Sequence, residues 1–190
     1  MTMPPGLRKF ALASHLAASV GWVGGVAGYL ALDVTVATSQ DPQTLRASWI
    51  AMHLVASRAI VPLAFAALLT GLVMALGTKW GLFRHWWVVI SLVLTVFAIL
   101  VLVSEAGVIS HSAAVAADPT TSDDELRAIP STLPHSVGGM VVLLVIQTLN
   151  IYKPQGLTKY GWRKQQEERR ALERSRRDEK QDSVIMRADP

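Results

Sequence analysis

The chain has 190 residues, of which 51% are apolar and only 17% charged, with a mean hydropathy of +0.35. A soluble domain carries about 25% charge, and here the charge is also segregated: residues 153–190 hold 11 of the 18 Lys and Arg and 7 of the 14 Asp and Glu. Residues 1–152 are thus neither an ordinary soluble globule nor a disordered chain, and the lack of Cys excludes disulfides, thiolate-ligated haem, iron–sulfur clusters and Cys-type zinc sites.

A bilayer core about 30 Å thick needs roughly 20 apolar residues of helix, because lipid leaves unpaired backbone groups unsatisfied. Four segments meet that need, at about residues 10–32, 49–77, 86–108 and 135–152. The first is free of formal charge, apart from Arg8 and Lys9 before it. It is too long for the apolar region of a signal peptide and lacks a clear small-residue cleavage site, so it reads as a retained helix. The second is interrupted by Arg58 and Pro62, and the third is nearly all Val, Leu and Ile. The fourth opens with Thr132 as N-cap and Pro134 in its first turn. Between the last two spans, Asp123, Asp124 and Glu125 mark a short helix. The expected fold is an all-α membrane protein. A four-helix transmembrane domain over residues 1–152 is followed by a charged, partly helical tail over 153–190.

Orientation follows from the basic residues near the span ends. Arg8, Lys9, Lys79, Arg84, Lys153, Lys159, Arg163 and Lys164 fall on one side, against Arg46 and Arg127 on the other. Both termini are therefore expected in the cytoplasm of a multi-pass cell-membrane protein. Trp80, Trp86, Trp87, Tyr152, Tyr160 and Trp162 form an aromatic belt at the inner face. The tail interleaves acids with bases, as in Glu173–Arg177, which argues for a solvated segment and against nucleic-acid binding. Gly21, Gly24, Gly25 and Gly28 give two small-xxx-small pairs, suited to packing within the bundle or to a homodimer through Gly21, Gly25 and Gly28.

Ionisable groups inside a span are costly and so point to function. Spans two and three turn near residue 81, which pairs residue i on one with residue 162 − i on the other. By that register Asp33, His53, Arg58, Glu105, His111 and His135 share one layer near the external surface, contributed by all four helices. Neutral imidazoles are good ligands for copper, zinc and iron. His53, His111 and His135 are therefore the candidate metal ligands, with Asp33 and Glu105 as supports. Helical phase separates His53 from Arg58 by about 140°, so the histidines point into the bundle while Arg58 lies on the seam. There Arg58 either pairs with Glu105 or holds a haem propionate. His15, with Ser19 and Trp22 on its face, is a secondary candidate as ligand or proton relay, and His85 is interfacial.

Residues 15–25, HLAASVGWVGG, resemble the first helix of the copper-resistance-D-like membrane proteins, in which a His precedes a Trp-x-Gly-Gly step; carried to His15, that resemblance implies metal handling. The segments TKWGLFRHWWVVISLVLT (78–95) and NIYKPQGLTKYGWRKQ (150–165) are similar to a small actinobacterial four-span integral membrane family of unknown function, which implies the four-helix architecture and no settled activity. The expected function is binding of haem b, copper or zinc through the histidine layer, for electron transfer or metal handling with an unspecified redox or metal-delivery partner. Two alternatives stand beside it. One is a non-catalytic membrane scaffold. The other is a small transporter switching the Arg58–Glu105 pair, with Pro62 and Gly71 as helix breaks.

Overall fold

The computed structural model describes residues 3–78 and 80–188, with side chains in the closing helix described to residue 181; Lys79 lies outside the described residues. The elements in chain order are α1 (Pro5–Thr38), α2 (Pro42–Val55), a π-helical segment (Ala56–Ile60), α3 (Val61–Gly77), α4 (Trp86–Ala117), the short α5 (Asp123–Arg127), α6 (Leu133–Tyr152) and α7 (Lys159–Ala188). Four helices are long and apolar enough to cross a membrane: α1, the continuous run Pro42–Gly77, α4 and α6. No strand occurs among the described residues.

All four spans outrun their expected limits, the fourth by only two residues at its start. The 34 residues of α1 rise about 51 Å, against a hydrocarbon core of about 30 Å. Hydropathy marks the part of a helix that lipid touches, whereas the helix itself ends where its backbone is capped. Hence α1 continues past Asp33 to Thr38. The next helix then starts at the Asp41 N-cap, whose carboxylate accepts from the Thr44 N–H at 3.0 Å, with Pro42 in the first turn. The π segment has a local cause. Pro62 offers no N–H, and its ring would clash with the carbonyl four residues back. The backbone widens by one residue instead, and the Val61 N–H reaches the Ala56 carbonyl.

The interior mixes a few large side chains, Trp22, Trp49, Met52 and Ile60, with many small ones, while other large apolar side chains face outward. Ala18, Ala56, Ala64, Ala67, Ala113 and Ala116 are buried, while Phe97 is 54% and Leu100 64% exposed. Large apolar side chains standing on the surface along all four spans suit contact with lipid chains, and small residues inside let the backbones approach. The glycines on α1 divide accordingly. A Cβ on Gly21 would lie 3.3 Å from Leu63, and one on Gly25 3.1 Å from Ile60, whereas Gly24 and Gly28 face open space. Gly21 and Gly25 therefore serve packing inside the chain. The dimer face expected at Gly21, Gly25 and Gly28 is split, because those three glycines do not share one outward face.

The bundle has two ends. Residues 3 and 86 lie at the same one, where the Met3 N–H donates to the Gly77 carbonyl (3.1 Å) and the Trp86 N–H to the Gly156 carbonyl (3.1 Å). We call this end proximal and the opposite one distal. Distally, the Arg46 guanidinium donates to the carbonyls of Ala116 (3.1 Å), Asp118 (2.6 Å) and Thr121. It thereby satisfies backbone acceptors around the C-terminus of α4. The expected short helix is α5, opened by a capping box between Ser122 and Glu125. Proximally, the turn over residues 80–85 and the segment after α6 clamp each other. The Thr158 N–H donates to the Arg84 carbonyl (3.1 Å), its hydroxyl to the Phe83 carbonyl (2.5 Å), and Arg84 pairs with Glu168 at 2.6 Å. Beyond this clamp α7 is exposed on all sides, from Gln166 to Gln181.

Candidate functional site

Asp33 is the most deeply placed ionisable group in the bundle, at 0% exposure. It lies four residues after Tyr29, on the same face of α1. Thr132 and Ser136 have the same spacing at the start of α6. The two pairs meet: Asp33 Oδ2 accepts from Ser136 Oγ at 2.7 Å and from Thr132 Oγ1 at 3.0 Å. With its proton committed to Asp33, Thr132 receives the Tyr29 hydroxyl, at 3.2 Å. The other carboxyl oxygen, Oδ1, is buried without a partner. Thr132 does occupy the N-cap position of α6, as the sequence indicates, but its hydroxyl makes no cap bond and turns to Asp33 instead. The partners of Asp33 are thus hydroxyls rather than imidazoles. Asp33 ties α1 to α6.

The expected histidine layer does not converge. Among the described residues, no group of three or more His, Asp or Glu side chains lies close enough to hold a metal ion. Helical phase gives the reason. The buried positions of distal α4 are Ile109, Ser112, Ala113 and Ala116, and His111 falls outside that stripe, exposed. On α2 the buried stripe runs Leu45, Ser48, Trp49, Met52 and on to Ala56, leaving His53 half-buried at its edge. His135 is exposed at the start of α6. Arg58 lies midway between buried Ala56 and Ile60, hence on the outer face of the π segment, and is exposed. The ion pair expected between Arg58 and Glu105 is not formed. Glu105 faces His135 instead, with His135 Nε2 3.7 Å from Glu105 Oε1 and side-chain exposures of 56% for the imidazole and 23% for the carboxylate.

That Glu105–His135 pair stands at the rim of a cavity of about 320 Å³ in the distal half of the bundle. Trp22 and Val26 of α1, Ile60 of the π segment, and Val142 and Leu143 of α6 form apolar walls. The polar residues on it are Tyr29, Thr132 and Ser136, already engaged with one another and with Asp33, together with Glu105 and His135. Gly138 and Gly139 line the side of α6, where an added Cβ would meet nothing within 4 Å. The exposed ring of Phe97 completes the wall on α4. A volume near 300 Å³, apolar walls and a few convergent polar groups are the features of a small-molecule site.

His15 has a separate place. Its Nδ1–H donates to the Ala67 carbonyl (3.1 Å) and toward Thr70 Oγ1 (3.1 Å), whose own proton goes to the Ala66 carbonyl (2.6 Å). A Cβ on Gly71 would lie 3.1 Å from His15 Cε1, so that glycine makes the slot for the ring. His85 is held in the proximal turn, donating through Nδ1 to the Trp80 carbonyl at 2.8 Å with its ring edge-on to Trp80. The sequence leaves Tyr29 and Ser136 unmarked and marks Thr132 only as an N-cap; the i, i+4 spacings Tyr29/Asp33 and Thr132/Ser136 were the available signal. Comparison of the chain with protein-family models, with curated proteins and with solved structures gives no match, so geometry alone bears on what this site does.

Proposed function

We propose that this chain is a multi-pass cell-membrane protein, with both termini cytoplasmic, that binds a lipophilic molecule bearing one neutral polar end in the distal cavity. The cavity carries the proposal: apolar walls closed at one level by a carboxyl and an imidazole. Depth supports it. Trp86 stands at the proximal aromatic belt, and Glu105 follows 19 residues later, about 29 Å along the helix. One hydrocarbon thickness therefore separates the belt from the Glu105–His135 rim. A ligand chain lies among Trp22, Ile60 and Leu143, while a hydroxyl or carbonyl end reaches the headgroup level. There Glu105 accepts a hydrogen bond and His135 donates one. The carboxylate disfavours an anionic end. The excess of Arg8, Lys9, Arg84 and Lys153 at the proximal end over Arg46 and Arg127 at the distal end supports the orientation. Haem or copper binding through His53, His111 and His135 draws no support from the placement of those three residues.

A diazirine-bearing long-chain alcohol, offered to the protein in lipid nanodiscs, tests the proposal. Crosslinks are expected in α4 near Phe97 and in α6 near Leu143. Gly139→Leu fills the cavity from a position with no neighbour to clash with, and should abolish the label. Gly107→Leu, also in open space but off the cavity, should leave it intact. Equal labelling of both variants refutes the proposal.

A further inference from the structure

A second cavity, of about 280 Å³, opens in the proximal half of the bundle. Its walls differ in kind from those of the first. Ser19, Ser91, Thr95, Gln147 and Asn150 bring polar side chains from α1, α4 and α6, with His15 beside them. Among the described residues no acidic side chain lines it, and Lys153 stands on its lining. Two of the lining groups are buried without any hydrogen-bond partner: the Trp87 indole Nε1 and the Ser91 hydroxyl, the latter on a residue only 7% exposed.

Buried polar groups are nearly always satisfied, and each exception costs free energy. An indole N–H is a donor only, so what Trp87 lacks is an acceptor. A serine hydroxyl also donates. A chamber that offers unused donors, a cation and no carboxylate is complementary to negative charge. Lys153 is held at this place by its backbone as well. It adopts the left-handed conformation (φ 46°) that ends α6, and its Nζ lies 5.5 Å from the Trp80 ring centroid. The apolar flank adds Leu12 and Leu16, both more than half exposed on the outer side of α1. The chamber is therefore open to lipid chains beside it.

We propose that the proximal cavity is a second binding site, specific for an anionic oxyacid group, a carboxylate or phosphate, whose oxygens accept from Trp87 Nε1 and Ser91 Oγ while Lys153 balances the charge. The group comes either as a free anion or on a lipid. This site is independent of the distal one: the cavities share no lining residue, and one takes a neutral end where the other takes a charged one.

The test uses the full chain, with ¹⁵N-labelled tryptophan, in phosphatidylcholine nanodiscs. One arm adds inorganic phosphate or acetate to the solution; the other incorporates phosphatidate or oleate into the disc. The indole resonance missing from Trp87→Phe identifies the reporter. It is expected to move downfield in at least one arm, and the arm in which it moves identifies the source of the anion. Ser91→Ala removes a hydroxyl that bonds nothing within the protein, and Lys153→Asn keeps a residue that tolerates left-handed backbone. Each should raise the half-saturating concentration roughly tenfold. No movement in either arm, the same movement with oleyl alcohol, or half-saturation unchanged in both variants overturns the proposal.

Discussion

Replacing Thr132 by Val tests whether the Asp33 network holds the bundle together. The two side chains have nearly the same shape, so no cavity opens, and the whole effect falls on hydrogen bonding. Two bonds are lost, one to Asp33 Oδ2 at 3.0 Å and one from the Tyr29 hydroxyl at 3.2 Å. Asp33 keeps Ser136 at 2.7 Å, which limits its loss. The Tyr29 hydroxyl, on a residue only 6% exposed, loses its one protein partner. A bond to a buried polar group of this kind is worth about 1 kcal/mol, and stranding a buried partner costs about 1–3 kcal/mol. Together these give a destabilisation of roughly 2–4 kcal/mol, about a 30- to 900-fold change in the ratio of unfolded to folded protein. The control is Thr148→Val, whose exposed hydroxyl bonds only the Leu144 carbonyl of its own helix at 2.8 Å and should matter by less than about 0.5 kcal/mol. Reversible unfolding in mixed detergent micelles, followed by tryptophan fluorescence, measures both. If Thr132→Val and Thr148→Val unfold at the same denaturant fraction, Asp33 does not tie α1 to α6 in the way described.

Three further outcomes follow from the geometry. Gly161→Ala places a Cβ 2.2 Å from the Arg84 carbonyl oxygen, a backbone atom with little freedom to move; the clamp should open, and limited proteolysis near residues 154–164 should quicken several-fold. An unchanged digestion rate would show that the clamp tolerates a methyl group. In the distal loop, hydrogen bonds from Ser122 hold the Glu125 carboxyl below its ordinary value, and those from Thr120 do the same for Asp118. Folded-state values depressed in this way contribute order that is complete above the unfolded carboxylate range and lost as pH falls through the folded values. Amide exchange in residues 118–127 should therefore accelerate in strong acid and not at mildly acidic pH; a rise already at mildly acidic pH would contradict the assignment. Finally, Gly71→Ala trades a gain in helix propensity of roughly 1 kcal/mol against a 3.1 Å approach to His15 Cε1. Stability should change by less than about 1 kcal/mol while the ¹⁵N shifts of the His15 ring move, and unmoved shifts would show that the ring does not depend on this slot.

The fold was legible because each span is at least as long as a bilayer requires and nearly free of charge, so a hydropathy count suffices to find it. The capping box at Ser122 and the proline starts at Pro42 and Pro134 are equally local. The site was less legible. A depth register derived from one turn brings His53, His111 and His135 to a similar height, but height leaves azimuth unspecified. His111 sits one residue before the buried Ser112 and is turned outward by 100° of helix. The π segment rotates everything after Val55 by a further residue, which no apolar count reveals, although Pro62 supplies its cause. Asp33 stood out as a charge near a span, but its partners did not. Its partners are hydroxyls, and serine and threonine are too common in membrane helices to stand out without coordinates.

The clamp around Gly161 has a mechanical corollary. The helix it anchors runs 30 residues, about 45 Å, and its root is stapled to the turn between α3 and α4 by Thr158 and Arg84. Load applied to the far end of such a rod arrives at its root multiplied by leverage, and the segment leading into the root touches Trp86, whose chain neighbour Trp87 lines the proximal chamber. A tug on the tail is therefore a torque on the floor of the bundle.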